Sequence, residues 1–431
     1  MVVKRNIFAN YIGAVAMVAA PVIALPWYLS ILGPKQFGLI SFVTALQAFL
    51  GLLDSGISQV SMREFSVRMN ETKEGRHSAA TLLFGFERIY WIVAICAGII
   101  TLLLSGSVSS HWLVLDAEST SLGLAAICGA AVIFTAQFPG TLYRSFLAGA
   151  QAQVTLNAIT VAGLLSRHVG GVLLLIIWPQ LSTYLIWQAG IAVVETVVRH
   201  HFAWRILGIR RANVTWNSTA LSSIWPAVAK MSGAVILGAL TTQIDKIILS
   251  RMLPIEQFGY YAIASTISQG VLNLIYPLVQ AISPRMMQLS LEPIALRALN
   301  IKLARSIAIM VIAGAAGFIV AGEWVLWFWL RDPKAVAIVY PLLSILLIGS
   351  AFNAFYHVGY FNWLANGQVR RILLVNVVSL VVCLAVTPPL VTWHGIIGAT
   401  FGFLAMNLLG LVISLEWLRP VVNKNDPNGC N

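Results

Sequence analysis

Apolar residues recur along this chain in runs of about twenty, the length at which a helix crosses roughly 30 Å of hydrocarbon. Short polar stretches separate the runs. The pattern predicts spans at Asn10–Ile31, Gly38–Val60, Leu82–Leu104, Ser121–Tyr143, Leu156–Trp178 and Leu181–Ala203. After a polar, basic stretch it predicts six more, at Val228–Ser250, Gly259–Ala281, Ser306–Phe328, Ala337–Gly359, Ile372–Trp393 and Gly395–Trp417. Hydrocarbon offers backbone groups no partner outside the segment, so each span must be a helix. The short alternating segments of a transmembrane barrel are missing. The expectation is an all-α polytopic membrane protein of about twelve helices in two six-helix bundles, 1–203 and 228–417. A cytoplasmic basic linker (204–227) joins them, and a cytoplasmic tail (418–431) follows. Lys4 and Arg5 precede an apolar stretch that runs past Pro21 and Pro26 without a small-residue cleavage site, so it reads as a retained first span.

The halves echo one another. Leu32-Gly33-Pro34-Lys35-Gln36-Phe37-Gly38 follows the first span, and Leu253-Pro254-Ile255-Glu256-Gln257-Phe258-Gly259 follows the seventh. Leu147-Ala148-Gly149-Ala150-Gln151 enters the fifth span, and Leu364-Ala365-Asn366-Gly367-Gln368 the eleventh. The turns after the fifth and eleventh shrink to Pro179-Gln180 and His394. Such repetition predicts a pseudo-two-fold axis along the membrane normal, with a substrate path between the halves.

Charge sets the orientation. Of 27 basic residues, nineteen fall in connections on one side, from Lys4 and Arg5 to Arg419 and Lys424, and four (Lys35, Arg251, Arg331, Lys334) on the other. Basic loops stay in the cytoplasm, so both termini are expected there. The net charge of +12 is then a topology signal, and with no soluble basic patch a nucleic-acid partner is excluded. The composition agrees: 59% hydrophobic and 10% charged, with a mean hydropathy of +0.85, lies far from a soluble domain. Cys96, Cys128, Cys383 and Cys430 form no metal or disulfide pattern.

No phosphate-binding loop, His-Glu-x-x-His or Gly-x-Ser-x-Gly occurs, so neither a cofactor, a metal nor catalysis is expected. What remains is charge at membrane depth, where each ionised group needs a partner or a wet cavity. Arg167, beside His168, stands mid-span; snorkelling is too far in either direction, leaving a polar cavity or an internal salt bridge. Arg88, Lys230 and Lys246 add positive charge suited to phosphate, making the four candidate substrate-binding cations. Asp54, Glu87, Asp245 and Glu323 are candidates for ion coupling, while Glu195 and His357 lie nearer the interface. Asp245 and Lys246 are adjacent, about 100° apart on a helix, and are not expected to face each other. Pro21, Pro26, Pro139 and Pro277 predict bends.

Leu53-Asp54-Ser55-Gly56-Ile57, Arg63-Glu64, Ile244-Asp245-Lys246, Gln257-Phe258-Gly259-Tyr260-Tyr261 and His394-Gly395-Ile396-Ile397-Gly398-Ala399 join the Leu32–Gly38 stretch in a resemblance. Over nearly its whole length the chain resembles polysaccharide flippases of the O-antigen/teichoic-acid export type, within the multidrug/oligosaccharidyl-lipid/polysaccharide exporter superfamily. The resemblance implies two lobes around a cavity, often cationic. It also implies transfer of undecaprenyl-pyrophosphate-linked oligosaccharide to the periplasmic leaflet of the bacterial inner membrane by alternating access. The implied partners are that lipid-linked oligosaccharide, membrane lipids, and polysaccharide polymerase and chain-length machinery. The rivals are a drug or organic-cation antiporter of the same superfamily, an integral-membrane polymerase or transferase, and a scaffold.

Overall fold

The structure, a computed structural model, describes residues 2–69 and 72–418; Arg419, Lys424 and Cys430 lie outside the described residues, as does the tail beyond Leu418. In chain order the helices are α1 (Val2–Leu50), a 3₁₀ turn (Gly51–Asp54), α2 (Ile57–Arg68), α3 (Lys73–Ser107), a π-helical turn (Val108–Trp112) and α4 (Thr120–Gly149). Next come α5 (Gln153–Leu165), a second π-helical turn (Ser166–Gly170), α6 (Gly171–Ile177), α7 (Leu181–Leu207), a 3₁₀ turn (Arg211–Asn213), α8 (Ser218–Ser222), α9 (Trp225–Thr241) and α10 (Ile244–Met252). α11 (Ile255–Gln288), α12 (Pro293–Leu330), α13 (Pro333–Ala365) and α14 (Val369–Ser414) end in a 3₁₀ turn, Leu415–Leu418. Among the described residues the only extended pairing is an isolated parallel bridge, Val114 to Pro254.

Eight of these helices are long and apolar enough to cross a membrane, or ten when each of two bent pairs counts as one span. α1 and α14 each run through a non-helical glycine, Gly33 and Gly395, and each joins two expected spans, which is consistent with twelve. Two expected boundaries change. The second span stops at Leu50 rather than Val60, because Gly56 takes φ 89°, a conformation costly for residues with a Cβ, and starts α2 afresh. The seventh is bent by 45° between α9 and α10, at Thr242-Gln243. α11 bends by 49° between Tyr276 and Ala281, where Pro277 stands, while Pro139 is carried inside α4 without a break.

The residues group into two compact units divided between Ile263 and Ala264, within α11. The expected linker does not lie at this division, because α9 and α10 pack on the first unit. Gly56 lies so close to Ser232 that an added Cβ would sit 2.5 Å from the serine nitrogen. The Trp112 indole donates to Ser250 at 3.0 Å. The centre of the first unit is aromatic: Phe65 and Phe146 meet edge-on at 5.1 Å, and Tyr90 packs on Phe138.

In the second unit, α14 reverses at Gly395 (φ 59°). A Cβ on Gly398 would lie 2.0 Å from the Leu390 carbonyl oxygen, and one on Gly402 would lie 2.3 Å from Thr387 Oγ1. One residue in a conformation open to glycine thus replaces a loop, and small residues let the two arms touch. Hydrocarbon removes the hydrophobic drive between helices, so close fit and polar pairing decide how these helices associate.

Candidate functional site

The embedded charge of the first unit falls into four clusters. The π-helical turn at Ser166–Gly170 carries Arg167. The carbonyls this turn displaces find donors on α7: Trp187 Nε1 reaches Ser166 O at 2.9 Å and Gln188 Nε2 reaches Arg167 O at 3.5 Å. Arg167 therefore points at α7, where it donates to Glu195 Oε2 at 2.9 Å and Gln188 Oε1 at 3.2 Å. Arg199, a turn beyond Glu195, pairs with the other carboxylate oxygen. Arg167, half-buried, and Arg199, buried, share one carboxylate, and Arg199 Nε has no hydrogen-bond partner among the described residues. Beside them Tyr28 and His168 are joined at 3.2 Å. Glu195 also borders a groove of about 460 Å³ between α5 and α7, lined chiefly by Ile159, Ala162, Val194, Val198 and Phe202.

Glu87 is 1% exposed and fully engaged. It accepts from Trp204 Nε1 at 2.7 Å, Tyr143 at 3.1 Å and Arg211 Nε at 2.9 Å, with His200 Nε2 at 3.6 Å. Next to it Arg88 lies over the rings of Phe84 (4.6 Å) and Trp216 (5.1 Å). Together these contacts pin the segment after α7 onto α3.

Asp54, half-buried after the break in α1, accepts from the hydroxyls of Ser58 and Tyr90. It has no ion pair among the described residues. Asp245, buried at the start of α10, accepts from Tyr261 at 2.8 Å. The expectation that Asp245 and Lys246 would not face each other is corrected: Lys246 Nζ lies 3.4 Å from Asp245 Oδ1 and 3.4 Å from Thr242 O. The flexible lysine stem curls back across the angle that separates the two Cβ atoms. Lys230, exposed near the start of α9, has no partner among the described residues. Glu323 is exposed on α12 of the second unit, far along the chain from the other seven candidates.

Among the described residues of the first unit, Asp245 and Lys246 are the one pair of candidates joined by an ion pair. Charge counting alone places Arg199 among the nineteen basic residues of the cytoplasmic connections, and no partner for Glu195 follows from it. A signal was available: Arg167 and Glu195 stand roughly three to four turns on either side of the Pro179-Gln180 connection, so an antiparallel pair of helices brings them level.

A further feature lies at the expected periplasmic end. The two Gln-Phe-Gly copies meet there: a Cβ on Gly38 would lie 2.0 Å from Ile255 O, and one on Gly259 would lie 3.1 Å from Gly38 Cα. Ile255 N donates to Val114 O at 3.3 Å, Arg251 lies over the Trp112 ring at 5.2 Å, and Lys35 pairs with Asp116. We call this arrangement the outer seam.

Residues 3–290 match the family described as polysaccharide biosynthesis protein, more than half of the chain. The chain belongs to that family. Among its relatives, a provisionally assigned O-antigen transporter of Shigella flexneri is 21% identical over 403 residues, covering 90% of each chain. An uncharacterized membrane protein in the cps region of Klebsiella pneumoniae is 22% identical over 402 residues, 91% of this chain and 77% of that one. Two solved structures share the fold. The lipid II flippase MurJ in an inward closed conformation gives a TM-score of 0.71 at 11% identity, covering 96% of this chain and 87% of that one. An inward-facing multidrug resistance MATE family transporter of the MOP superfamily gives 0.73 at 12%, covering 96% and 97%. The chain is therefore a multi-pass membrane protein that shares the fold of these two structures.

Proposed function

We propose that the chain is a flippase that moves an undecaprenyl-pyrophosphate-linked oligosaccharide from the cytoplasmic to the periplasmic leaflet of a bacterial inner membrane. What carries this reading is the conjunction, in one chain, of membership in a polysaccharide biosynthesis family with a transporter fold. The outer seam supports an alternating-access cycle. Its contacts are backbone-close but few, and its charged members, the Lys35–Asp116 pair and Arg251, are exposed, so they part without stranding a buried charge. In this reading two bundles, 1–203 and 228–417, work as the moving halves, and both termini are cytoplasmic.

Of the four candidate cations, Lys230 and Arg88 have no carboxylate partner among the described residues and are free to meet a diphosphate. Arg167 takes a phosphate only by giving up Glu195, and Lys246 only by giving up Asp245. Asp54, held by hydroxyls alone, is the carboxylate best placed to exchange a cation for ion coupling.

The deciding experiment deletes the gene and labels the lipid-linked sugar leaflet by leaflet. Loss of periplasmic labelling, restored by the intact chain, is expected. Normal labelling in the absence of a paralogue overturns the reading. At the level of residues, Lys230→Gln is expected to lower export at least tenfold with protein amount unchanged. Asp54→Asn is expected to make the remaining export indifferent to a protonophore or to sodium removal.

A further inference from the structure

We propose that the first turns of α3 and the end of α7 form a binding site for the headgroup of one anionic membrane phospholipid. The site is a groove of about 860 Å³. One wall carries Lys73, Arg76 and His77, all exposed, with Glu74 as its single acid. Ser78 and Thr81 on α3 and Asn217 beyond α7 bring hydroxyl and amide groups to the same space, and Leu207 and Ile209 supply an apolar floor. Thr72 caps α3 by accepting from Gly75 N, and Arg68, itself paired with Glu64, donates to Ser78 at 2.8 Å. The basic wall is thus mounted on ordered structure.

Depth identifies the occupant. The long apolar run of α3 begins at Ala79, with Glu87 and Arg88 inside it, and the last turns of α7 carry Arg199, His200, His201 and Arg205, so the groove opens where both helices leave hydrocarbon. That is the level of lipid headgroups, and basic pockets between spans at this level suit anionic lipids. Lys73 and Arg76 against Glu74 leave the wall net positive, which favours a phosphodiester with no compensating amine over a zwitterionic lipid. The apolar floor favours a tethered headgroup over free phosphate. The site shares no residue with the eight embedded candidates and does not depend on what the chain transports.

The test uses the purified full chain in detergent, with native mass spectrometry and thermal unfolding as readouts and phosphatidylglycerol as the probe. Retained phosphatidylglycerol and a raised unfolding temperature are expected, with phosphatidylcholine and inorganic phosphate ineffective at equal concentration. Lys73→Gln/Arg76→Gln should weaken phosphatidylglycerol binding at least tenfold, and Glu74→Gln should strengthen it. Lys302→Gln/Arg305→Gln, an exposed basic pair on α12, should leave it unchanged. The proposal is overturned if the α12 pair matters equally or if inorganic phosphate competes as well as the lipid. Undecaprenyl phosphate displacing phosphatidylglycerol at one tenth of its concentration also overturns it, since the groove would then belong to the substrate.

Discussion

The two units solve the same problem, polar groups inside an oily bundle, with opposite chemistry. The first uses ions: Arg167, Glu195 and Arg199 in one chain of contacts, and Glu87 held by Arg211. The second uses neutral pairs: Asn300 with Asn362 at 2.9 Å, Asn353 with Asn407 at 2.7 Å, and Ser268 with Ser350. His357 there rests on the Asn353 carbonyl at 2.7 Å among Tyr276, Tyr356 and Tyr360. Buried ion pairs gain little net stability, because desolvation offsets attraction, but breaking one strands a charge. Neutral pairs are worth less and cost less to lose. The first unit is therefore the brittle half.

The largest effect is expected at Glu195. Glu195→Gln leaves two arginines without a counter-charge and should cost about 3–5 kcal/mol, seen as loss of folded protein or a steep fall in unfolding temperature. Adding Arg167→Met to that variant should recover part of the loss; no recovery would mean that the shared carboxylate is not what binds the cluster.

Next comes a steric test of the second unit. Gly402→Ala places a methyl 2.3 Å from Thr387 Oγ1 and should cost about 1–3 kcal/mol through overpacking. Thr387→Ala in the same chain should relieve most of it.

The amide pair should matter less. Asn353→Leu alone should cost about 1 kcal/mol, and Asn353→Leu/Asn407→Leu together should be close to neutral, since neither partner is then stranded. A double variant as damaged as a broken ion pair would erase the contrast between units.

The smallest effect is expected at the exposed Lys35–Asp116 pair. Lys35 holds the Asp116 carboxyl down to about 2, from an ordinary 3.8. Because the folded value is the lower one, the pair contributes above the ordinary value and its contribution fades as pH falls from 3.8 towards 2. Asp116→Asn should therefore shift the unfolding temperature slightly at pH 7, by an amount that shrinks with added salt and with acid. A shift that persists below pH 2 would assign the effect to something other than charge.

The spans were legible because hydrocarbon imposes one length and one secondary structure, and a run of twenty apolar residues has no other reading. The reversal at His394-Gly395 was legible too, since two apolar runs with nothing between them leave room only for a glycine turn. What escaped depends on packing between segments distant in sequence. The 45° bend before α10 has no proline at Thr242-Gln243 to announce it. Arg211, assigned to a cytoplasmic linker by charge, reaches back to Glu87, about four helical turns inside α3. Charge at depth marked Arg167 and Glu87 correctly as needing explanation, but only geometry says whether the partner is water, substrate or a neighbouring helix.

The reversal of α14 at Gly395 bears on how the chain is made and probed. Two spans that touch along their length from the first turn enter a bilayer most easily together, as a hairpin emerging whole from the insertion machinery. Almost nothing protrudes at the bend, so a protease added from that side finds no strand to cut. A reporter spliced there must first prise Gly398 from Leu390.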